Sequence, residues 1–362
     1  MKPGSAVSAA AEQFAVSGMF VDAIPWGNGH IHDSYRVGFD TGGVRQHYLL
    51  QRINTGVFPL VPELMENIER VTAHIEAGIA NEADRARRAL RLVPARDCQS
   101  WLQDEQGACW RMFGFIEGSR SVDKVESAEQ CYRVAQAFGA FQHHLTSLPG
   151  PRLHDTIPDF HHTPKRFAAL ERAIAADPAR RASTAKAEID FALARNSMTR
   201  ALLDAGLPER VTHNDTKINN VLLDEQTGEA LCVIDLDTVM PGLALYDFGD
   251  MVRTATSPAA EDEQDLGKVF LRMDYYQALV EGYLSSAAAF LTARERELLA
   301  FSGKLITFEI GTRFLADYLN GDTYFKVHRE GHNLDRCRTQ FRLVASIEDQ
   351  EHQMNRLVAQ PA

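Results

Sequence analysis

His213, Asp215 and Asn220 fall within one short stretch, His-Asn-Asp-Thr-Lys-Ile-Asn-Asn, and Asp235 follows at the end of the apolar run Leu231 to Ile234. Phosphoryl transfer needs little covalent help; it needs metal-bound positioning and one group that takes the acceptor's proton. An Asp five residues ahead of an Asn on one loop suits that chemistry. The Asp faces the acceptor hydroxyl while the Asn amide oxygen reaches Mg2+, which prefers hard oxygen ligands. Asp215 is therefore the expected catalytic base, and Asn220 and Asp235 are the expected metal ligands. His213 is expected to brace the loop by hydrogen bonds. Asp247, in Tyr-Asp-Phe-Gly-Asp, is expected to accept backbone N–H groups of the same loop. Singly, a His-x-Asp is common and an acid ending a hairpin strand is an ordinary turn residue; the combined order carries the specificity. Eleven residues separate Asp235 from Asp247, too few for a long peptide-seating segment, so a small-molecule acceptor is expected.

The elements that must position these groups can be read outward from the loop. Two strands, Asn220 to Asp224 and Ala230 to Asp235, joined by a turn at Gln226-Thr227-Gly228-Glu229, form a hairpin that carries Asn220 and Asp235 at its open end. Near the N-terminus a short helix at Ser8 to Phe14 precedes three antiparallel strands up to Ile53. The first turn between them, Gly27-Asn28-Gly29-His30, is either a flap whose N–H groups cover ATP phosphates or a plain hairpin turn. Its place between strands sets it apart from a dinucleotide-binding glycine loop, which lies between a strand and a helix. On the third strand Tyr48, Leu50 and Arg52 share one face. Arg52 is either a phosphate grip or an exposed strand-end arginine, and Glu69, beside the apolar stripe of a helix starting near Pro62, is its expected partner. Further strands are expected in Arg88 to Pro94 and Ala108 to Glu117, ending at a hinge where backbone atoms of Phe115 to Glu117 hydrogen-bond adenine. Residues 1–117 thus form an expected nucleotide-covering lobe, and 118–362 a mostly helical catalytic and substrate-binding lobe. The fold class is α+β, with an N-terminal antiparallel sheet and one main helix. A Pro- and His-rich loop, Pro149 to Pro164, precedes the catalytic stretch; His161 and His162 are either substrate contacts or surface histidines.

Composition narrows the partners. The chain has 362 residues, 45% apolar and 24% charged, an ordinary soluble balance. A formal charge of −11 disfavours nucleic acid or an anionic membrane as partner. Five cysteines are scattered without paired spacing, so reduced core thiols are expected rather than disulfides or zinc. No signal-like segment appears and no run approaches the ~20 apolar residues that span a bilayer, which makes the cytoplasm the default compartment. The oligomeric state is left open.

The order His-x-Asp, Asn, hairpin, Ile-Asp-x-Asp and Tyr-Asp-Phe-Gly-Asp resembles the kinase-like phosphotransferases that include the aminoglycoside and choline kinases. That resemblance implies a bilobal protein-kinase-like fold. GNGHIHDSY, YLLQRINTGVFP, LMENIERVT, IPDFHHTPKRF, THNDTKINNVL, VIDLDTVMPG and TRFLADYLNGDTYF resemble the N-acetylhexosamine 1-kinases from about Phe14 to Glu351. The resemblance implies ATP- and Mg2+-dependent phosphorylation of the anomeric hydroxyl of GlcNAc or GalNAc, with Arg313 and Tyr324 at positions that hold the sugar. Independently, Glu309 to Arg342 has six Lys/Arg against five acids, which argues against a trap for a cationic acceptor. The alternatives are an Arg313–Asp317 ion pair on one helix face with Tyr324 in the core, a kinase of another small hydroxyl compound, or a degenerate nucleotide-binding module.

Overall fold

Alternation along the early strands builds a sheet whose two faces differ in chemistry. In the computed structural model, which describes residues 3–27, 31–81 and 84–360, helix α1 (Pro3–Ala11) precedes β1 (Met19–Pro25), β2 (Asp33–Thr41) and β3 (Val44–Ile53). Next come α2 (Val61–Gly78), the single turn α3 (Arg85–Arg88), β4 (Leu92–Val93), β5 (Leu102–Gln103) and β6 (Cys109–Gly114). The strands run antiparallel in the order β1-β2-β3-β6-β4, with β5 also on β6. Leu50 and Met112 stand opposite each other and are buried with Val37, Trp110 and the apolar side of α1.

The other face carries a polar row. Ser34, Gln51 and Arg111 are in register across three strands. Gln51 donates to Ser34 Oγ at 2.9 Å, and Arg111 Nε donates to Gln51 at 3.0 Å. The Arg111 guanidinium then forks onto Asp237 at 2.5 and 2.7 Å, with both side chains buried. His32 Nε2 reaches the same carboxylate at 3.2 Å. Because His32 Nδ1 accepts the Asn54 N–H, Nε2 is the nitrogen that donates. Burial would push the Asp237 carboxyl up, but the Arg111 charge and the hydrogen bonds from His32 and Arg111 hold it well below the usual carboxylate range.

The chain continues through β7 (Ser119–Arg120), α4 (Ala128–Leu145), α5 (Thr163–Ala176), α6 (Lys186–Leu193) and β8 (Arg210–Thr212). There follow β9 (Val221–Asp224), β10 (Ala230–Val233), β11 (Met240–Gly242), α7 (Ala244–Ala255), α8 (Met273–Ala287), α9 (Ala293–Glu297), α10 (Leu299–Leu319) and α11 (His332–Ala359). It separates into two compact units. One comprises Met1–Arg120, Ser147–Ile157 and Leu222–Met240; the other comprises Ser121–Thr146, Pro158–Val221 and Pro241–Ala362. Helix α2 recruits the returning segments of the first unit. Asn67, fully buried, donates to the carbonyls of His154 and Val239 and accepts the His154 N–H. Arg70 donates to the carbonyls of Pro149 and Pro151. In the same unit the hairpin of β9 and β10 extends to β7.

The second unit is helical around a core that includes Phe167, Leu170, Phe308, Leu315 and Phe341. Helix α4 opens on Ser127, whose hydroxyl accepts the Gln130 N–H as an N-cap, and it packs on α8. Two glycines let those backbones approach: a Cβ on Gly139 would lie 2.8 Å from the Tyr283 carbonyl oxygen, and one on Gly282 would lie 2.1 Å from that of Tyr132.

Three expectations need correction. The first helix spans Pro3–Ala11 and stops short of Phe14, which joins the core instead. The strand expected in Arg88 to Pro94 is confined to Leu92–Val93, and Arg88 instead ends the helical turn Arg85–Arg88, whose Arg87 donates to the carbonyls of Glu117 and Gly118 and pairs with Asp224. Cys98 is exposed, while the other four cysteines are buried free thiols.

Breaking a buried pair strands a charge, at a cost of ~3–5 kcal/mol. Asp237→Ala should therefore lower the unfolding free energy in urea by about that amount; a loss under ~1 kcal/mol would match an exposed pair and contradict the buried geometry.

Candidate active site

The loop that follows β8 is built by one buried carboxylate. Asp247, in the first turn of α7, accepts the His213 N–H at 2.9 Å and the Asn214 N–H at 2.7 Å. Gln142 of α4 donates to it at 2.6 Å and in turn accepts the hydroxyl of Tyr283 from α8. The Asp247 carbonyl takes the Thr216 hydroxyl at 2.6 Å. Burial pushes the Asp247 carboxyl above its ordinary value, and its donors oppose that shift by favouring the ionised form. Held this way, Asn214 adopts a left-handed backbone with φ of 65°, a conformation that costs a non-glycine residue roughly 1–3 kcal/mol and is least costly for Asn and Asp.

Asp215 emerges from that turn half-buried. His213 Nδ1 accepts its N–H at 3.3 Å, and the His213 ring is packed edge-on against Phe138 and Phe141. The Lys217 ammonium lies 2.7 Å from Asp215 Oδ1. Burial would raise the Asp215 carboxyl, but the Lys217 charge and hydrogen bond, with smaller help from His213 and Arg253, hold it below its ordinary value. Arg253 is itself buried against Asp250 at 2.7 Å and reaches Glu261 at 3.0 Å. Lys217 was legible as a lysine two residues beyond the Asp, yet sequence reasoning passed over it.

Asn220 closes the loop one residue ahead of β9. Its Nδ2 donates to the Asp215 carbonyl at 2.8 Å and to Asp215 Oδ2 at 3.3 Å, so the amide nitrogen is spent within the loop and the amide oxygen is the atom that could serve a cation. Asp235, two residues past β10, takes a left-handed backbone with φ of 62°. Among the described residues no three His, Cys, Asp or Glu side chains converge as a metal cage. By donor chemistry alone, an amide oxygen such as that of Asn220 and a carboxylate such as that of Asp235 are each the hard kind of ligand that Mg2+ prefers.

The residues expected to bind nucleotide lie in the first unit. Gly27 has φ of 79° and ends the described part of the turn after β1; Asn28, Gly29 and His30 lie outside the described residues. Arg52 and Glu69 do not form the expected pair. Arg52 sits beside Trp110, on the face opposite Arg111, and its partner at 3.3 Å is the cross-strand Asp33, while Glu69 is exposed. The cation on the face that meets Asp237 is Arg111, a mid-strand arginine that no sequence pattern marks. In the segment expected to be a hinge, the Phe115 N–H donates to the His47 carbonyl, and the Glu117 carbonyl accepts from Arg87.

The expected substrate residues fall in the second unit. Arg313 on α10 is stacked near Phe160, Tyr324 and Phe325, with ring centroids 5.3, 6.0 and 5.6 Å from the guanidinium carbon. The Arg313–Asp317 pair is not made. Asp317 instead accepts the N–H groups of Thr323, Tyr324 and Phe325 and the Asn333 amide, and Tyr324 is 66% exposed, so it is not core. His161, expected as a substrate contact, is buried with both ring nitrogens engaged: Nδ1 on Glu309 at 2.8 Å and Nε2 on the Asn214 carbonyl at 3.0 Å. It supports the loop and has no nitrogen left for a ligand. His162 is the N-cap of α5, where its ring accepts the Lys165 N–H.

Against known proteins, a model of the phosphotransferase enzyme family matches residues 22–297. Among solved structures, the chain is similar to a microcompartment-associated aminopropanol kinase, at TM-score 0.60 and 16% identity over 97% of this chain and 98% of that one. A spectinomycin phosphotransferase solved with ADP and spectinomycin matches at 0.59 and 12% over 96% and 98%. A choline kinase from Cryptosporidium parvum matches at 0.55 and 13% over 98% and 97%. The likeness establishes the α+β kinase-like architecture: an antiparallel sheet followed by a helical C-terminal part.

The Lys217 ammonium is the main opponent of burial at Asp215. Lys217→Met should therefore move the Asp215 carboxyl titration, followed by 13C NMR, to higher pH than in the parent protein; an unmoved titration would show that the pair does not persist in solution.

Proposed function

Because the chain belongs to the phosphotransferase enzyme family, we propose that it transfers the γ-phosphoryl group of ATP to the anomeric hydroxyl of an N-acetylhexosamine, GlcNAc or GalNAc. The observation that carries the acceptor class is Arg313. Among the described residues no protein oxygen hydrogen-bonds its half-buried guanidinium, so its donors remain for ligand oxygens such as sugar hydroxyls or an acetamide carbonyl. A cationic acceptor would need a carboxylate or an open aromatic cage. Here the guanidinium itself faces the rings, and Glu309 is engaged by His161 and the Thr163 hydroxyl. Exposed Tyr324 offers a face for a sugar ring. The motif resemblance along the chain supports the same acceptor.

In this reading Asp215 orients the C1 hydroxyl and takes its proton as O1 attacks the γ-phosphorus in line and the bond to ADP breaks. A carboxylate held low is a weak base, so the proton moves late, when the attacking oxygen has become acidic. Lys217 keeps Asp215 ionised. Asn220 and Asp235 would each offer an oxygen ligand to Mg2+, which would supply charge neutralisation for the phosphates. Adenine bonds the Phe115 carbonyl and the Glu117 N–H, since the Phe115 N–H and the Glu117 carbonyl are already engaged.

A screen of ADP release across N-acetylhexosamines, other sugars, amino alcohols and aminoglycosides tests the acceptor. Turnover confined to amino alcohols would replace the sugar reading with that of a different small hydroxyl compound, and no ADP release with any acceptor would favour a nucleotide-binding module. The product should carry a phosphate on C1 that mild acid removes; a 6-phosphate would reject the assigned position.

Asp215→Asn keeps the side-chain shape and should leave Mg·ATP binding nearly intact while lowering kcat by ~100-fold or more. Near-parental kcat would remove Asp215 from the role of base. Loss of a hydrogen bond from a charged donor is worth ~1.5–3 kcal/mol, so Arg313→Ala should lower sugar kcat/KM roughly 10- to 150-fold with little change in the ATP KM; unchanged sugar kinetics would dismiss the contact.

A further inference from the structure

His161 differs from His32 in one respect that decides its protonation. His32 has one acceptor and one donor as neighbours, so a neutral ring satisfies both. His161 has only acceptors. The Asn214 carbonyl at Nε2 cannot donate, and Glu309 at Nδ1 is a carboxylate that also accepts the Thr163 hydroxyl at 2.6 Å. A neutral imidazole has a single N–H, so the ring must carry two. The carbonyl it holds belongs to the left-handed Asn214, whose N–H is fixed by Asp247. The peptide groups flanking the residue before Asp215 are therefore gripped by an imidazolium on one side and a carboxylate on the other.

We propose that His161 is a positioning residue, a buried imidazolium that anchors on Glu309 and locks the Asn214 turn, so that Asp215 is aimed correctly only while the second ring proton is present. This rests on the reading of Asp215 as the group that takes the acceptor's proton. His161 itself touches no substrate. The groups that bear on its proton come from three directions. Glu309 of α10 is in contact; Asp250 and the Tyr246 ring face it from α7, the ring at 5.2 Å; Arg313 and Arg166 act beyond Glu309. Burial alone would favour the neutral ring, but Glu309, with help from the Asn214 carbonyl and Asp250, outweighs it and holds the His161 pKa above its ordinary value. With the folded value raised, the lock is complete below the ordinary histidine value and is lost as pH rises through the raised one.

The direct test is 15N NMR of histidine-labelled protein, with the His161 ring identified as the signal missing from His161→Gln. Two N–H type ring nitrogens are expected at about pH 6, below the ordinary histidine value, converting as pH rises together with the Asp215 backbone amide. A pyridine-type nitrogen on His161 at about pH 6, or an Asp215 amide that does not move with the ring, would overturn the proposal. Neither readout requires turnover, so an inactive protein would count against the proposed reaction and not against the lock. Glu309→Gln keeps the shape and the Thr163 contact but removes the charge. It should retain kcat at low pH and shift the alkaline limb of kcat to lower pH, with substrate KM values unchanged. His161→Gln should lower kcat tenfold or more and abolish that limb. A Glu309→Gln profile superimposable on the parent would reject the role. If either variant fails to fold, the parent titration alone still decides.

Discussion

The buried carboxylate of Asp247 is the constraint on which the catalytic loop depends. It lies in the first turn of α7 and satisfies two backbone N–H groups that β8 leaves unpaired as the chain turns out of the strand. An unmade bond at either would cost the full desolvation of a buried donor, ~1–3 kcal/mol, so the turn cannot relax into an ordinary loop. Gln142 and Tyr283 extend the network into α4 and α8. The geometry of a few loop atoms is thereby set by three helices, which suits a reaction that proceeds by positioning rather than by covalent chemistry.

In the first unit the corresponding element is the fork of Arg111 on Asp237. The fork fixes the segment two residues after Asp235, and the His32 bond links it to the strand that follows the glycine turn. Left-handed backbone recurs at Asn214 and Asp235, each immediately beside or at a residue proposed to work in the reaction. Strain of this kind persists only where neighbours over-determine the conformation. At Asn214 those neighbours are the imidazolium of His161 and the carboxylate of Asp247.

Much of this was legible in the sequence because local spacing encodes local geometry. The order of Asp215, Asn220 and Asp235 placed the loop and the hairpin correctly, and period-two alternation gave the sheet. What escaped the sequence depends on contacts between distant residues. Arg52 reads in sequence as either a phosphate grip or an exposed strand-end arginine; register puts it beside Asp33 on the face opposite Arg111, while Arg111 meets Asp237 across 126 positions of sequence. His161 looked like a ligand contact because it sits in a histidine-rich loop; its partners, Glu309 and Asn214, lie 148 and 53 residues away. The alternative Arg313–Asp317 pair followed a sound local rule, but Asp317 is captured by three backbone N–H groups of the turn after α10.

The close approach of α4 and α8 has a consequence for how the protein tolerates change. Gly139 and Gly282 each meet the other helix's backbone within a distance that no side chain can share. Tyr283, next to Gly282, is the same residue that holds Gln142 under Asp247. A single methyl added at Gly282 must therefore wedge the two helices apart and lengthen a chain of hydrogen bonds that ends at the loop. Such a variant can be well packed in every other respect and still aim its carboxylate badly, so the absence of two side chains between α4 and α8 acts as a calibration of the site.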